Sequence, residues 1–101
     1  ETLTKEEKAF FKEADPLGFI LFARNCTEPA QLKKLTAALQ DCLGREVPIL
    51  IDQEGGRVQR LKPPHWPAYP AARSFGDAFL RDFAKGRKAL KDNTAAIAGD
   101  L

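Results

Sequence analysis

The sequence predicts an α/β fold with parallel strands, and three observations support this prediction. Residues 18–22 and 47–51 form two short runs that are apolar throughout, which is typical of strands covered on both faces in a parallel sheet. Between these runs, leucines at positions 32, 35 and 39 recur at helical spacing. Because strands and helices alternate along the chain, we expect a right-handed crossover and helices that lie outside the sheet.

Composition limits the class of protein. The 101 residues are enough for one small domain, and an apolar fraction of 44% is enough for a core. A formal charge of +2 is too small to indicate nucleic acid, an acidic membrane surface or an acidic substrate. Two cysteines without a signal-peptide pattern favour a cytoplasmic location over a disulfide framework. No apolar run is long enough to span a bilayer.

The first helix is predicted to begin at Thr4 and to end before Pro16. Thr4 and Glu7 have the spacing of a capping box, in which each side chain accepts a hydrogen bond from the other residue's backbone N–H. Phe10 and Phe11 provide its apolar face. The helix ends there because the residue before a proline avoids the helical conformation.

The second helix connects the two strands. We expect Thr27 or Glu28 to precede it, because Pro29 is favoured at the first helical position. Gly44 is expected to end it. Its apolar face comprises Leu32, Leu35, Leu39, Cys42 and Leu43.

The remainder of the chain is predicted to contain a stiff loop followed by helix. Residues 62–70 include four prolines together with His65, Trp66 and Tyr69. A helical region begins near residue 71, with a break around residues 81–86. Its expected buried side comprises Ala89, Leu90, Ala96, Ile97 and Leu101.

Two strands are too few to complete such a fold. Strands that are apolar at every position need cover on both faces and neighbours on both edges. The chain also begins at a helix and ends with a helix that is ready to lead into another strand. We therefore expect residues 1–101 to be part of a larger α/β domain that is incomplete at both ends.

The second strand ends in a motif that favours ligand binding. Asp52 follows the apolar run and precedes the sequence Gln-Glu-Gly-Gly-Arg-Val-Gln-Arg, so its carboxylate lies at the carboxyl end of the sheet, where ligands bind. The two glycines allow a tight turn or close approach to a ligand. Asp52, Arg57 and Arg60 together suit a polyhydroxylated ligand, because the carboxylate accepts hydrogen bonds and the guanidinium groups donate them. Alternatively, Asp52 caps a turn and the arginines are its surface ion-pair partners.

Three segments, residues 19–25, 51–60 and 67–70, together resemble glycoside hydrolase family 3. The likeness is strongest to the bacterial cytoplasmic β-N-acetylhexosaminidases (β-N-acetylglucosaminidases) of cell-wall recycling. It extends over essentially the whole chain, and the run from Asp52 to Arg60 is its most specific part. The resemblance implies that the chain is an N-terminal portion of a (β/α)8 barrel, with two parallel strands and flanking helices. It also implies retaining hydrolysis of terminal N-acetylglucosamine from muropeptides, without metal or cofactor.

The same resemblance implies roles for two residues. Asp52 would bind hydroxyl groups of the non-reducing-end N-acetylglucosamine, and Arg60 would lie in the same subsite. The nucleophilic aspartate and the acid/base histidine of the family lie downstream of this chain, so no catalytic residue is expected here and the segment alone is expected to be inactive. His65 belongs to the proline-rich loop and is not that histidine. Asp52 and Glu54 do not replace the pair, because they alternate along the strand exit, whereas a retaining pair lies about 5 Å apart across the scissile bond.

Glu54, Arg57 and Arg24 are further candidates for sugar contacts. Glu54 either contacts the sugar or braces the Gly-Gly turn or an arginine, and the second role is favoured. Arg57 either contacts the sugar or forms a structural ion pair. Arg24 follows the first strand and either contacts a ligand or belongs, with Asn25, to a turn that caps the next helix.

Metal and nucleic-acid sites are not expected. Cys26 and Cys42 have no histidine partner, so zinc is disfavoured, and Cys42 is assigned to the core. The basic positions 81, 85, 87, 88 and 91 are interrupted by Asp82 and Asp92, which indicates a solvated helix face.

Two other functions are considered. The first is a stand-alone, non-catalytic α/β module that self-associates or binds a partner chain through open sheet edges. The second is a barrel enzyme for a phosphorylated ligand, which is weaker because residues 55–57 do not lead into a clear helix.

Overall fold

The computed structural model describes residues 2–101, which form two compact units, one extending to Asp52 and the other comprising Gln53–Leu101. The first unit contains α1 (Lys5–Ala14), β1 (Phe19–Leu21), a 3₁₀ turn (Ala23–Asn25), α2 (Pro29–Leu43) and β2 (Ile49–Ile51). The second unit contains β3 (Gln53–Gly55), β4 (Val58–Gln59), α3 (Ala72–Arg81) and α4 (Phe83–Asp100). The predicted α/β class is confirmed.

The two apolar runs pair as parallel strands, as predicted. Phe19 of β1 lies opposite Ile49 of β2, and Leu21 lies opposite Ile51. The backbone N–H of Phe19 donates to the carbonyl of Pro48 at 2.9 Å. Because α2 connects two adjacent parallel strands, this unit is a strand–helix–strand crossover.

The core of the first unit lies on one face of its sheet. Leu21, Leu35 and Leu39 are buried together, and partly buried residues of α1, α2 and both strands pack around them. The alternate strand residues face the other way, so that Ile20 is 50% exposed and Leu50 is 61% exposed. Within the described residues the strand pair is therefore covered on one face, because α1 and α2 both pack against that face, and the cover that such apolar strands need on the other face is not supplied.

Local signals set the helix ends. Thr4 N–H donates to Glu7 Oε2 at 2.8 Å and Glu7 N–H donates to Thr4 Oγ1 at 3.1 Å, which confirms the capping box. Asp15 ends α1 in a left-handed conformation, with φ of 45°. Gly44 ends α2 as predicted, with φ of 66°. Glu28 is the residue that precedes α2, and its side chain makes no capping hydrogen bond.

The second unit begins with a β-hairpin that was not predicted from the sequence. Strands β3 and β4 are antiparallel, and Gly55 and Gly56 have φ of 86° and 61°, a region in which residues other than glycine are strained. A Cβ atom on Gly55 would lie 2.2 Å from the carbonyl oxygen of Pro70. Gly56 N–H donates to the carbonyl of Tyr69 at 2.8 Å. The two glycines therefore serve a turn that packs closely against the protein's own proline-rich loop.

The last helical region is broken where expected. Asp82 separates α3 from α4, and its Oδ1 accepts from Lys85 N–H at 3.1 Å. The helices meet at the buried Gly86, where a Cβ would lie 2.5 Å from Phe79 Cα. The predicted buried side is wrong at four of its five positions, because the contact between the helices centres on Gly86 instead. Ile97 is half-buried, whereas the exposed positions are Ala89, Leu90, Ala96 and Leu101. No helix within residues 2–101 has the length and hydropathy needed to span a membrane.

Candidate functional site

Asp52 lies at the carboxyl end of the parallel pair. It directly follows β2, and its side chain is half-buried. Strand β2 reaches this point because Ile49 and Ile51 pack against the core of the first unit. A carboxylate in this position can accept hydrogen bonds from hydroxyl groups of a bound molecule.

Arg24 and Asn25 follow the other strand, β1. Asn25 Oδ1 accepts from Phe22 N–H at 2.9 Å and the Asn25 carbonyl accepts from Gln31 Nε2 at 2.9 Å, so Asn25 joins β1 to α2. Arg24 is exposed, and its guanidinium carbon lies 4.9 Å from the centre of the Phe22 ring. Of the two roles weighed for this turn, the structural role is the one that Asn25 fills.

Arg60 lies in the second unit, just after β4. Its side chain is half-buried. Its backbone N–H donates to Gln53 Oε1 at 3.0 Å, and the N–H of the next residue, Leu61, donates to the same oxygen at 3.0 Å. The backbone that carries the guanidinium is therefore held by a side-chain amide.

A second amide belongs to Gln59, the residue directly before Arg60 in the chain. Gln59 is 4% exposed. Its Nε2 donates to the carbonyls of Leu61 at 2.7 Å and Pro67 at 2.6 Å, and its Oε1 accepts from Tyr69 N–H at 2.9 Å. Neither Gln53 nor Gln59 was predicted from the sequence to have a role. The one available signal is that both flank the predicted site.

Glu54 and Arg57 lie at the exposed end of the hairpin. Both side chains are exposed. Within residues 2–101 neither forms a hydrogen bond or an ion pair. Within the described residues Glu54 therefore makes no ion pair with an arginine and Arg57 makes no structural ion pair, and the sugar contacts weighed for both stay predictions.

The proline-rich loop is attached to the end of α4. Tyr69 OH donates to the carboxylate of Asp100. In the same loop, His65 is exposed, and its ring meets Trp66 edge-to-face at 6.0 Å between centroids. The Tyr69–Asp100 bond therefore connects the segment after Arg60 to the C-terminal helix.

The Tyr69–Asp100 bond leads to a pH-dependent prediction. The hydrogen bond to Asp100 raises the pKa of the Tyr69 phenol above its ordinary value. A raised folded-state pKa means that the stabilisation is present below the ordinary tyrosine pKa and is lost as pH rises through the raised value. Tyr69 is the sole tyrosine, so ultraviolet absorbance of tyrosinate reports its titration directly. We expect Asp100→Asn to lower that pKa. An unchanged titration would show that the hydrogen bond does not control it.

The two cysteines do not belong to a metal-binding cluster within residues 2–101. Both are free thiols, and burial raises the pKa of Cys26. Cys42, assigned to the core from sequence, is half-buried, and its Sγ donates to the Lys8 carbonyl at 3.2 Å, joining α2 to α1. The part of the chain that the structure describes contains no group of three or more His, Cys, Asp or Glu side chains arranged to hold a metal ion.

The basic positions of α4 lie on an exposed face. Lys88 Nζ contacts Asp92 Oδ2 at 2.5 Å, and this hydrogen bond raises the pKa of Lys88. Lys85 Nζ lies 4.0 Å from Asp82 Oδ2. Acidic neighbours thus offset part of the positive charge, as expected for a solvated helix face.

The first unit also contains a groove along β1. Its volume is about 400 Å³, and α1, β1, the 3₁₀ turn and α2 all contribute to its lining. Ile20 and Arg24 are among the lining residues, whereas Asp52 is not. The groove is therefore distinct from the carboxylate at the end of β2.

Curated proteins with similar sequences match between 74% and 98% of the chain. A beta-hexosaminidase of Bordetella avium (strain 197N) is 41% identical over 99 residues, which are 98% of this chain and 28% of that protein. A beta-hexosaminidase of Xylella fastidiosa (strain M23) is 36% identical over 81 residues, 80% of this chain and 24% of that protein. This chain is a homologue of bacterial beta-hexosaminidases.

The resemblance to the bacterial hexosaminidases noted in the sequence is thereby confirmed. A beta-hexosaminidase of Pseudomonas aeruginosa (strain LESB58) agrees, with 39% identity over 74% of this chain and 22% of that protein. No family model matches the chain. This hexosaminidase homologue spans about a quarter of the length of its curated relatives.

Proposed function

We propose that this chain is the N-terminal portion of the (β/α)8 barrel of a bacterial family 3 β-N-acetylhexosaminidase. The full-length enzyme releases terminal non-reducing β-linked N-acetylglucosamine from muropeptides in the cytoplasm. The observation that carries the proposal is Asp52, a carboxylate at the carboxyl end of a parallel strand, in a chain whose relatives are named beta-hexosaminidase. In barrel enzymes, this end of the strands holds the active site.

Asp52 and Arg60 bind the sugar in this account. The Asp52 carboxylate accepts hydrogen bonds from sugar hydroxyls, and the Arg60 guanidinium donates to sugar oxygens. Such charge-assisted bonds are roughly twice as strong as neutral ones and fix the orientation of the ring. Arg24 and Arg57, both exposed, are secondary candidates for sugar contacts, as is Glu54.

The nucleophile and the acid/base come from the remainder of the enzyme. In a retaining reaction the nucleophile displaces the leaving group at the anomeric carbon, and water then hydrolyses the glycosyl-enzyme. Neither step needs a metal or an organic cofactor. Residues 1–101 contribute binding and orientation, so the isolated segment is inactive.

Assay of the full-length polypeptide tests the proposed activity. We expect it to cleave a chromogenic β-N-acetylglucosaminide and to release the β-anomer first, as seen by proton NMR. Residues 1–101 alone are expected to give no turnover. A full-length enzyme that is inactive on this substrate, or that releases the α-anomer first, would contradict the proposal.

A second candidate function is a non-catalytic module that assembles through its sheet. The strand pair has only two strands, so each has an outer edge that can pair with another chain, and the exposed apolar side chains of Ile20 and Leu50 favour association in the same region. It predicts that residues 1–101 self-associate at micromolar concentration in sedimentation. A cooperatively folding monomer would exclude it.

A further inference from the structure

Two side-chain amides hold the backbone of Arg60 and of the segment that follows it. Gln53 Oε1 accepts from the N–H groups of Arg60 and Leu61, and Gln53 Nε2 donates to the Leu61 carbonyl, all three at 3.0 Å. Gln59, one residue before Arg60, is fixed by its own bonds to Leu61, Pro67 and Tyr69. The Leu61 carbonyl thus accepts from both amides.

Only an amide side chain can make all three of the hydrogen bonds that Gln53 makes to the backbone. Its oxygen must accept from two N–H groups while its nitrogen donates to a carbonyl. A carboxylate lacks the donor, and an apolar side chain lacks both groups. Leu61 is 3% exposed, so loss of the amide leaves buried backbone groups without this partner, which is costly.

We propose that Gln53 is a positioning residue for Arg60, with its amide fixing the backbone from which the guanidinium reaches the sugar. The inference rests on the sugar-binding role proposed for Arg60. Gln53 immediately follows Asp52 in the chain, so the residue after one sugar-binding side chain sets the backbone of the other. Gln53 affects sugar affinity only by positioning Arg60, so we expect it to have no effect on affinity once the Arg60 guanidinium is removed.

The chain offers a matched control in the first unit. Gln40 Nε2 donates to the Val47 carbonyl at 3.0 Å and Gln40 Oε1 accepts from Val47 N–H at 2.7 Å. Gln40 therefore makes the same kind of paired hydrogen bonds from a side-chain amide to the backbone. Gln40 is half-buried and Val47 is buried. Neither bond involves the segment that carries Arg60. Gln40→Met therefore removes a comparable structural contact without altering the support of Arg60.

A double-mutant cycle in the full-length enzyme tests the proposal. Dissociation constants for N-acetylglucosamine and kcat/KM are measured for Gln53→Met, Arg60→Met, the double variant and Gln40→Met. We expect Gln53→Met to weaken sugar binding by about tenfold and to have no further effect when Arg60 is already methionine. Gln40→Met is expected to lower thermal stability but to leave sugar affinity unchanged. If Gln53→Met does not fold, Gln53→Asn, whose shorter amide does not reach Leu61, is expected to show the same non-additive loss.

The outcomes separate the two proposals. If Arg60→Met leaves sugar affinity unchanged, the sugar-binding role of Arg60 fails, and the positioning role fails with it. If Arg60→Met weakens binding but Gln53→Met does not, only the positioning role is overturned. Equal losses from Gln53→Met with and without Arg60, or an equal loss from Gln40→Met, would show a general structural effect and also overturn it.

Discussion

Asp52→Asn is expected to lower kcat/KM of the full-length enzyme for a β-N-acetylglucosaminide by about 30- to 1,000-fold. The substitution keeps the size of the side chain but removes the negative charge that accepts hydrogen bonds from sugar hydroxyls. Loss of such a charged contact costs about 2–4 kcal/mol in transition-state binding. Steady-state kinetics with a chromogenic substrate measures the effect.

Asp41→Asn is the matched control for this experiment. Asp41 is exposed on α2, so the same chemical change there is expected to leave kcat/KM unchanged. Circular dichroism and thermal unfolding establish that both variants are folded. Near-normal turnover by Asp52→Asn would contradict the assignment of Asp52 to the sugar subsite.

Gly55→Ala is expected to destabilise the fold by more than about 2 kcal/mol. Two effects combine at this position. The φ of 86° is strained for alanine, and the added Cβ would lie 2.2 Å from the Pro70 carbonyl oxygen. Relief of that contact requires the hairpin to move away from the proline-rich loop. The free energy of unfolding, measured in urea, reports the loss.

Gly76→Ala provides the comparison. Gly76 lies within α3, and an added Cβ there has no atom within 4 Å. Since alanine is favoured over glycine in a helix by about 1 kcal/mol, this variant is expected to be as stable as the original chain or more stable. Equal stability of Gly55→Ala and the original chain would show that the hairpin does not pack against the loop as described.

The elements predicted correctly from sequence are those with local signals. The capping box at Thr4, the stop at Gly44 and the break at Asp82 depend on neighbours a few residues away. The hairpin was missed because Gln53–Gly55 has none of the β-branched or aromatic residues that favour strands. Its stability depends on contacts with a loop that returns ten or more residues later, which a local pattern does not reveal.

Burial on both sheet faces, which the apolar runs favour, is not reached within this chain because two strands are too few to supply it. The apolar runs correctly indicate strands that tolerate burial on two sides, but this chain supplies helices for one side only. Ile20 and Leu50 are therefore exposed, although their chemistry suits a core. In the proposed full-length barrel these faces are covered by the remaining strands.

The site was predictable in part. Asp52 was located from the abrupt end of an apolar strand, a pattern with a direct geometric meaning. The position of Arg60 after the strand predicted a donor to a polyhydroxylated ligand, and only its place in the sugar subsite came from the family resemblance. Gln53 and Gln59 were not predicted, because the hydrogen-bond partners of a glutamine amide depend on the folded path of the loop. In the case of Gln59 they include Pro67 and Tyr69 of the proline-rich loop, and the spacing of residues in the sequence does not reveal that contact.

Calorimetric titration of the full-length enzyme with N-acetylglucosamine tests the central claim most directly. The account predicts that Asp52→Asn and Arg60→Met each raise the dissociation constant by at least about tenfold, whereas Asp41→Asn leaves it unchanged. Sugar affinity that is the same in all four proteins would contradict the claim that this segment binds the sugar.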